Sequence, residues 1–239
     1  MPGGIDQGKT MLITKLHQQR CLAKHQRQQG AQQALAGVAS TRQKTAPVAD
    51  QVQTVVEALG RDIARLKAVE SVEAKIVLKR ELLPQYTPIA DGYLESGANY
   101  QNHLLFYCAL WSLDVDDLEA AFKYFDNAVA QQQATPDNFN RDMPTIAAEM
   151  IAEWAEREYK AERSASPYID RVCERLDGGQ WVVTTTIVTG KVYKVAGLLC
   201  ERAGELKEAL AFYEKAMAAN EKAGCKTRLD KLKKQLDVA

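Results

Sequence analysis

Four carboxylates lie close together at Asp114, Asp116, Asp117 and Glu119. Clustered acids can hold one or two divalent cations, and a metal-dependent nuclease needs that convergence. Asp114, Asp116 and Asp117 are therefore the candidate catalytic residues. Their position favours a different job, because they span a loop and the first turn of a helix. Acids there satisfy free N–H groups and suit the helix dipole, and Asp116 is the expected cap. Gly3-Gly4-Ile5-Asp6-Gln7-Gly8-Lys9-Thr10 matches the phosphate-loop pattern. Such a loop works only between a buried strand and a helix N-terminus. Only Met1 and Pro2 precede it here, and no parallel-sheet pattern follows. Its lysine adds basic charge instead. His17, His25 and His103 have no ligand spacing with any cysteine, so neither a metal nor another cofactor is expected. Cys21, Cys108, Cys173, Cys200 and Cys225 form no C-x-x-C pair, which fits reduced thiols in a cytosolic compartment. No apolar run reaches membrane-spanning length, and residues 1–30 lack a signal-peptide core, so no membrane contact is expected.

Polyanion binding is the other chemistry in view. The 239 residues carry 31 Lys and Arg against 31 Asp and Glu, which excludes a uniformly basic protein. Residues 1–49 hold seven basic side chains and one acid, a net of +6, which leaves −6 for residues 50–239. Nine glutamines also fall in this head. Lys9, Lys15, Arg20, Lys24 and Arg27 are its candidate DNA contacts. A helix over 11–29 places His17, Arg20, Lys24 and Arg27 on one face. Lys79 and Arg80 form a second basic pair that can touch phosphate; otherwise they offset a helix dipole in a last turn.

The elements behind these residues read as helices. Val52, Val56, Leu59, Ile63 and Leu66 recur at four, three, four and three, a heptad seam that fails at Glu70 and Glu73. The seam is either one helix of a helical domain or a self-association coiled coil. That helix can continue through Ile76 and Leu78 to Leu83, where Pro84 is expected to end it. Pro88 then opens a helix to about Ser96, capped by Gly97. Further helices fit 100–112, 117–132, 144–162 and 167–176, the last with Ser166 as cap and Pro167 as first residue. Asp177-Gly178-Gly179 is a stop. Trp181 to Val188 has strand-like composition but no second strand to pair with, so an irregular connector is expected, turning helical near Thr186. Helices at 187–203, 205–220 and 225–236 complete an all-α chain.

Asp117 to Ala128 aligns without gaps with Glu205 to Ala216, an offset of 88 residues. Tyr193, Gly197, Ala209, Tyr213 and Ala216 fit the tetratricopeptide pattern of aromatic and small residues. The expected fold is an all-α multi-helix bundle with tetratricopeptide-like hairpins and a basic N-terminal arm. Residues 1–49 are the DNA-contacting arm and linker. Residues 50–239 are an acidic assembly domain, with a possible coiled-coil helix at 50–83 and a hairpin at 187–220. Such hairpins imply packing or partner binding, and a protein-only adaptor is the alternative function.

The block Lys79-Arg80-Glu81-Leu82-Leu83-Pro84 carries a resemblance, extended by Trp111 to Asp114, Asp117 to Ala128, Gly197 to Ala216 and Ala223-Gly224. In this order they resemble the small terminase subunit of peduovirus-type tailed phages, over about Val52 to Leu236. The resemblance implies DNA packaging in the host cytoplasm. It implies recognition of the cohesive-end site on double-stranded phage DNA, a homo-oligomer, and delivery to a large subunit that holds the ATPase motor and nuclease. The family is also described as the terminase endonuclease subunit. With no nuclease or ATPase centre evident, the expected role is a non-catalytic regulatory one.

Overall fold

A computed structural model describes residues 48–237, with side chains described from Thr54 to Leu236. Among the described residues there are nine helices and no strand. They are α1 (Val48–Ala68), α2 (Val72–Glu95), α3 (His103–Asp114), α4 (Leu118–Ala130), α5 (Met143–Lys160), α6 (Tyr168–Asp177), α7 (Thr186–Ala203), α8 (Leu206–Ala219) and α9 (Lys226–Asp237). The expected helix at 11–29, the phosphate-loop match and the rest of the 1–49 arm and linker lie outside the described residues, except for residues 48 and 49, which begin α1. The fold is all-α, as the periodicity requires.

The first departure is at the start of the chain's helical part. The expected long helix divides at residues 69–71, where Ser71 caps α2 by accepting from the Ala74 N–H at 3.2 Å. The second departure is that α2 does not stop at Leu83. It runs through both Pro84 and Pro88 to Glu95. A proline inside a helix removes one hydrogen bond and costs about 3 kcal/mol. Here Pro84 and Pro88 are four residues apart on the exposed face. The opposite face buries Leu82, Leu83, Tyr86, Ala90 and Tyr93. Fully burying one such large side chain contributes about 1.5–3 kcal/mol, so tertiary packing outweighs the local penalty.

α1 attaches through its inward face. Leu59 and Leu66 are buried, and Ile63 packs partly buried against the core. Asp62 is 9% exposed and accepts the Tyr86 hydroxyl of α2 at 2.7 Å. Of the seam residues with described side chains, Val56 alone is open to solvent, at 57% exposure.

The internal repeat extends to the backbone. α3 packs on α4, and α7 packs on α8. In the first pair the Asp117 N–H donates to the Ser112 carbonyl at 2.9 Å and the Asp116 N–H to Leu113 at 3.1 Å. In the second the Glu205 N–H donates to Cys200 at 2.9 Å and the Gly204 N–H to Glu201 at 3.1 Å. Each donor and acceptor is shifted by the same 88 positions. Both turns are the glycine-type helix ending with a left-handed residue, φ 64° at Asp116 and 81° at Gly204. The repeated small residues Ala121, Ala128, Ala209 and Ala216 are all fully buried. At the closest approach, a Cβ on Gly197 would stand 2.6 Å from the Tyr213 ring. That spacing is what lets α7 and α8 pack closely.

The 181–188 segment forms no strand. Trp181 is buried against Phe122 and Phe125 of α4. The Thr184 N–H donates to Thr145 Oγ1 at 3.0 Å, and Thr185 caps α7 at Ile187. Polar anchoring takes the place of sheet pairing. In the segment before α6, Pro167 itself occupies the cap position, and the Ser166 hydroxyl donates to Asp170 at 2.6 Å instead of capping.

Candidate nucleic-acid interface

The three candidate catalytic aspartates end up with three different partners. Asp114 pairs with Lys79 of α2 at 2.5 Å. Asp116, at the left-handed turn position, accepts from the Trp154 indole N–H of α5 at 3.1 Å. Asp117, not Asp116, is the cap of α4 and accepts from the Ala120 N–H at 3.1 Å. Asp116 cannot cap because its backbone is already the end of the preceding turn. Among the described residues no three His, Cys, Asp or Glu side chains are placed to hold a metal ion.

The thiols are equally committed to packing. Burial pushes the Cys108 thiol up to about 12, with the Asp91 charge adding to it. Burial also pushes Cys200 up to about 12, helped by Glu205, and raises Cys173. None of these is a ready thiolate near neutral pH.

The basic pair on α2 splits in two. The Lys79 side chain is 17% exposed and tied to Asp114, whereas Arg80 is exposed. They stand in the middle of α2, because the helix continues past them, so they are not last-turn cations. Lys9, Lys15, Arg20, Lys24 and Arg27 lie outside the described residues.

An aromatic and guanidinium cluster pins the 178–182 connector to α4. Arg175 binds both carboxylate oxygens of Asp126, through Nε at 2.6 Å and through Nη2. The Trp181 indole N–H reaches the same Asp126 at 3.1 Å. Arg171 stacks over Phe122 at 4.1 Å and contacts Glu119. These arginines are therefore used internally, and the acids they meet are neutralised by them.

The charge balance is finer than a head against a body. Residues 50–221 hold 18 Lys and Arg against 28 Asp and Glu, a net of −10. Residues 222–239 hold six against two, a net of +4. The second basic block forms most of α9, and the two-block split at residue 49 hid it. Arg228 of α9 pairs with Glu201 at 2.8 Å and Lys233 with Glu214 at 2.9 Å. Lys226, Lys231 and Lys234 are exposed and form no ion pair among the described residues.

The family profile of the phage small terminase subunit matches residues 56–182, more than half of the chain. The chain belongs to the phage small terminase subunit family. It is 28% identical over 195 residues to the probable terminase, endonuclease subunit of Haemophilus phage HP1, covering 76% of this chain and 69% of the relative. It is 30% identical over 178 residues to the terminase, endonuclease subunit of Escherichia phage P2, covering 74% and 71%. No solved structure matches it. The family match covers α2 to α6 and most of α1, which includes the Lys79–Asp114 pair and the Trp181 anchor. The exposed lysines of α9 lie beyond it. Among the described residues no helix is long and apolar enough to cross a membrane.

Proposed function

We propose that this small terminase subunit recognises the cohesive-end site on double-stranded phage DNA and presents it to the large terminase subunit in the host cytoplasm, for cleavage and packaging into the capsid. Family membership is the observation that carries the reading. The +6 charge of residues 1–49 supports DNA contact there, through Lys9, Lys15, Arg20, Lys24 and Arg27, with exposed Arg80 as a further phosphate contact. The relatives from phages HP1 and P2 are named endonuclease subunits. For this chain the reading is a regulatory partner in cleavage, since Asp114, Asp116 and Asp117 each serve a separate structural contact. A homo-oligomer belongs to the same reading. Leu59 and Leu66 are already covered within one chain, so self-association along this seam runs through the exposed Val56 end of α1.

The test replaces Lys9, Lys15, Arg20, Lys24 and Arg27 with glutamine in the full chain. On a cohesive-end duplex, log K against log salt should flatten by about 4.5, at roughly 0.9 per lost phosphate contact. An unchanged slope removes the head from the interface. No DNA binding by the unaltered chain at low salt would favour the protein-only adaptor. Magnesium-dependent cutting by the isolated subunit, lost on Asp114→Asn or Asp117→Asn, would overturn the regulatory role.

A further inference from the structure

We infer that the solvent face of α9 is a second DNA-backbone contact, separate from the basic head and carried by Lys226, Lys231 and Lys234. The inference rests on the DNA-binding reading above and adds a surface to it. α9 packs on α8 and reaches α7 through the Arg228–Glu201 pair. Leu229 and Leu232 are buried there, and the preceding Cys225 is 1% exposed. The helical period turns Thr227, Asp230, Lys231 and Lys234 to the opposite side and leaves exposed Lys226 at its edge. The ion pairs flank the buried side. Arg228 and Lys233 neutralise Glu201 and Glu214 of the underlying helices. Lys226, Lys231 and Lys234 form no direct ion pair among the described residues, although the Lys231 charge also reaches Glu201 beside Arg228.

The chemistry of this face selects its occupant. Protein interfaces are depleted in lysine and centre on apolar or aromatic side chains. The outward face of α9 offers no apolar residue: Thr227, Asp230 and Gln235 fill the positions around the lysines. A phosphate backbone needs no apolar contact, only cations at a suitable spacing. Lys226 to Lys234 spans about 12 Å of helix at 1.5 Å per residue. Duplex DNA presents one negative charge per about 1.7 Å of axis, hence about seven over that length. The lysines can thus engage phosphates without any distortion of α9. Asp230 stands among them and opposes a polyanion, which supplies a variant with the opposite sign.

The experiment measures binding of a cohesive-end duplex to the full chain at several salt concentrations. The triple change Lys226→Ala, Lys231→Ala and Lys234→Ala should flatten the salt dependence by about 2.7, while the same three positions changed to arginine should keep it. Asp230→Asn should tighten binding at low salt by about two- to fivefold, an effect that loss of folding cannot imitate. An unchanged slope in the alanine variant, with Asp230→Asn neutral, overturns the inference. A weaker hold on the large subunit with unaltered DNA binding overturns it too, in favour of an acidic protein surface. If the unaltered chain binds no DNA, the DNA-binding reading itself fails. If it binds and only the head variant weakens it, the head reading stands and α9 is excluded.

Discussion

Gly197→Ala is the sharpest test of how the second hairpin is held. The new Cβ would lie 2.6 Å from Tyr213 Cε1 and 2.7 Å from Cδ1, closer than real Cβ contacts. The ring cannot swing out, because it is fully buried and its hydroxyl donates to Glu201 at 2.6 Å. Glu201 is in turn paired with Arg228 of α9. Overpacking of this kind costs about 1–3 kcal/mol. Alanine returns up to about 1 kcal/mol of helix propensity. If the ring moves enough to lose its hydrogen bond, about another 1 kcal/mol goes with it. The net expectation is destabilisation by about 1–3 kcal/mol, or a fall in thermal midpoint of roughly 3–10 °C at this size. The first hairpin explains the sensitivity, since it carries Ala109 and Phe125 at the equivalent positions and both are fully buried. Phe125 has no hydroxyl to fix its depth. Tyr213→Phe combined with Gly197→Ala should therefore cost less than the sum of the two changes. Gly92→Ala is the control: it is exposed within α2, and nothing stands within 4 Å of its added Cβ. It should raise the midpoint slightly. A Gly197→Ala protein as stable as the control would refute the close-packing argument.

Asp126→Ala strips the shared acceptor from Arg175 and Trp181, and chemical denaturation should show a loss of about 2–4 kcal/mol. Pro84→Ala restores an amide on the exposed face of α2 and should raise the thermal midpoint by a few degrees; a fall would mean that the proline is needed where it stands. Burial tends to raise the Glu201 carboxyl, but hydrogen bonds from Tyr213 and Arg228 outweigh it and hold the group below its ordinary 4.5. Its stabilising effect is therefore full above pH 4.5 and is lost as pH falls through the lower folded value. Acid titration of unfolding should show a smaller drop below pH 4.5 in Glu201→Gln.

Most of the helical pattern was legible because apolar spacing sets it, and the family resemblance was legible from the Lys79 to Pro84 block. What failed locally failed where tertiary packing overrode a short-range rule. Pro84 reads as a stop, yet five buried side chains on the other face of α2 carry the helix through it. Asp116 reads as a cap because aspartate is common there. The repeat assigns it the left-handed position that Gly204 takes 88 residues later, and the Trp154 indole satisfies its carboxylate. The Val, Thr and Ile of 181–188 suggest a strand, but a strand needs a partner, and a buried Trp181 with threonine contacts anchors the segment instead. Burial sets the roles of α1, whose seam leucines were readable as periodic without being assignable to an inner or outer surface.

The two prolines of α2 also set its mechanics. Neither Pro84 nor Pro88 can donate to the preceding turn, so the carbonyls of Arg80 and Pro84 lack their usual helical donors. Both gaps lie on the wet side, while the dry side is packed throughout. Bending α2 within Arg80–Pro88 therefore breaks fewer bonds than bending it elsewhere. The helix is a beam that is stiff along its inner edge and compliant at one place along its outer edge. Load applied to α2 would be taken up there first, leaving the buried side and its neighbours in register.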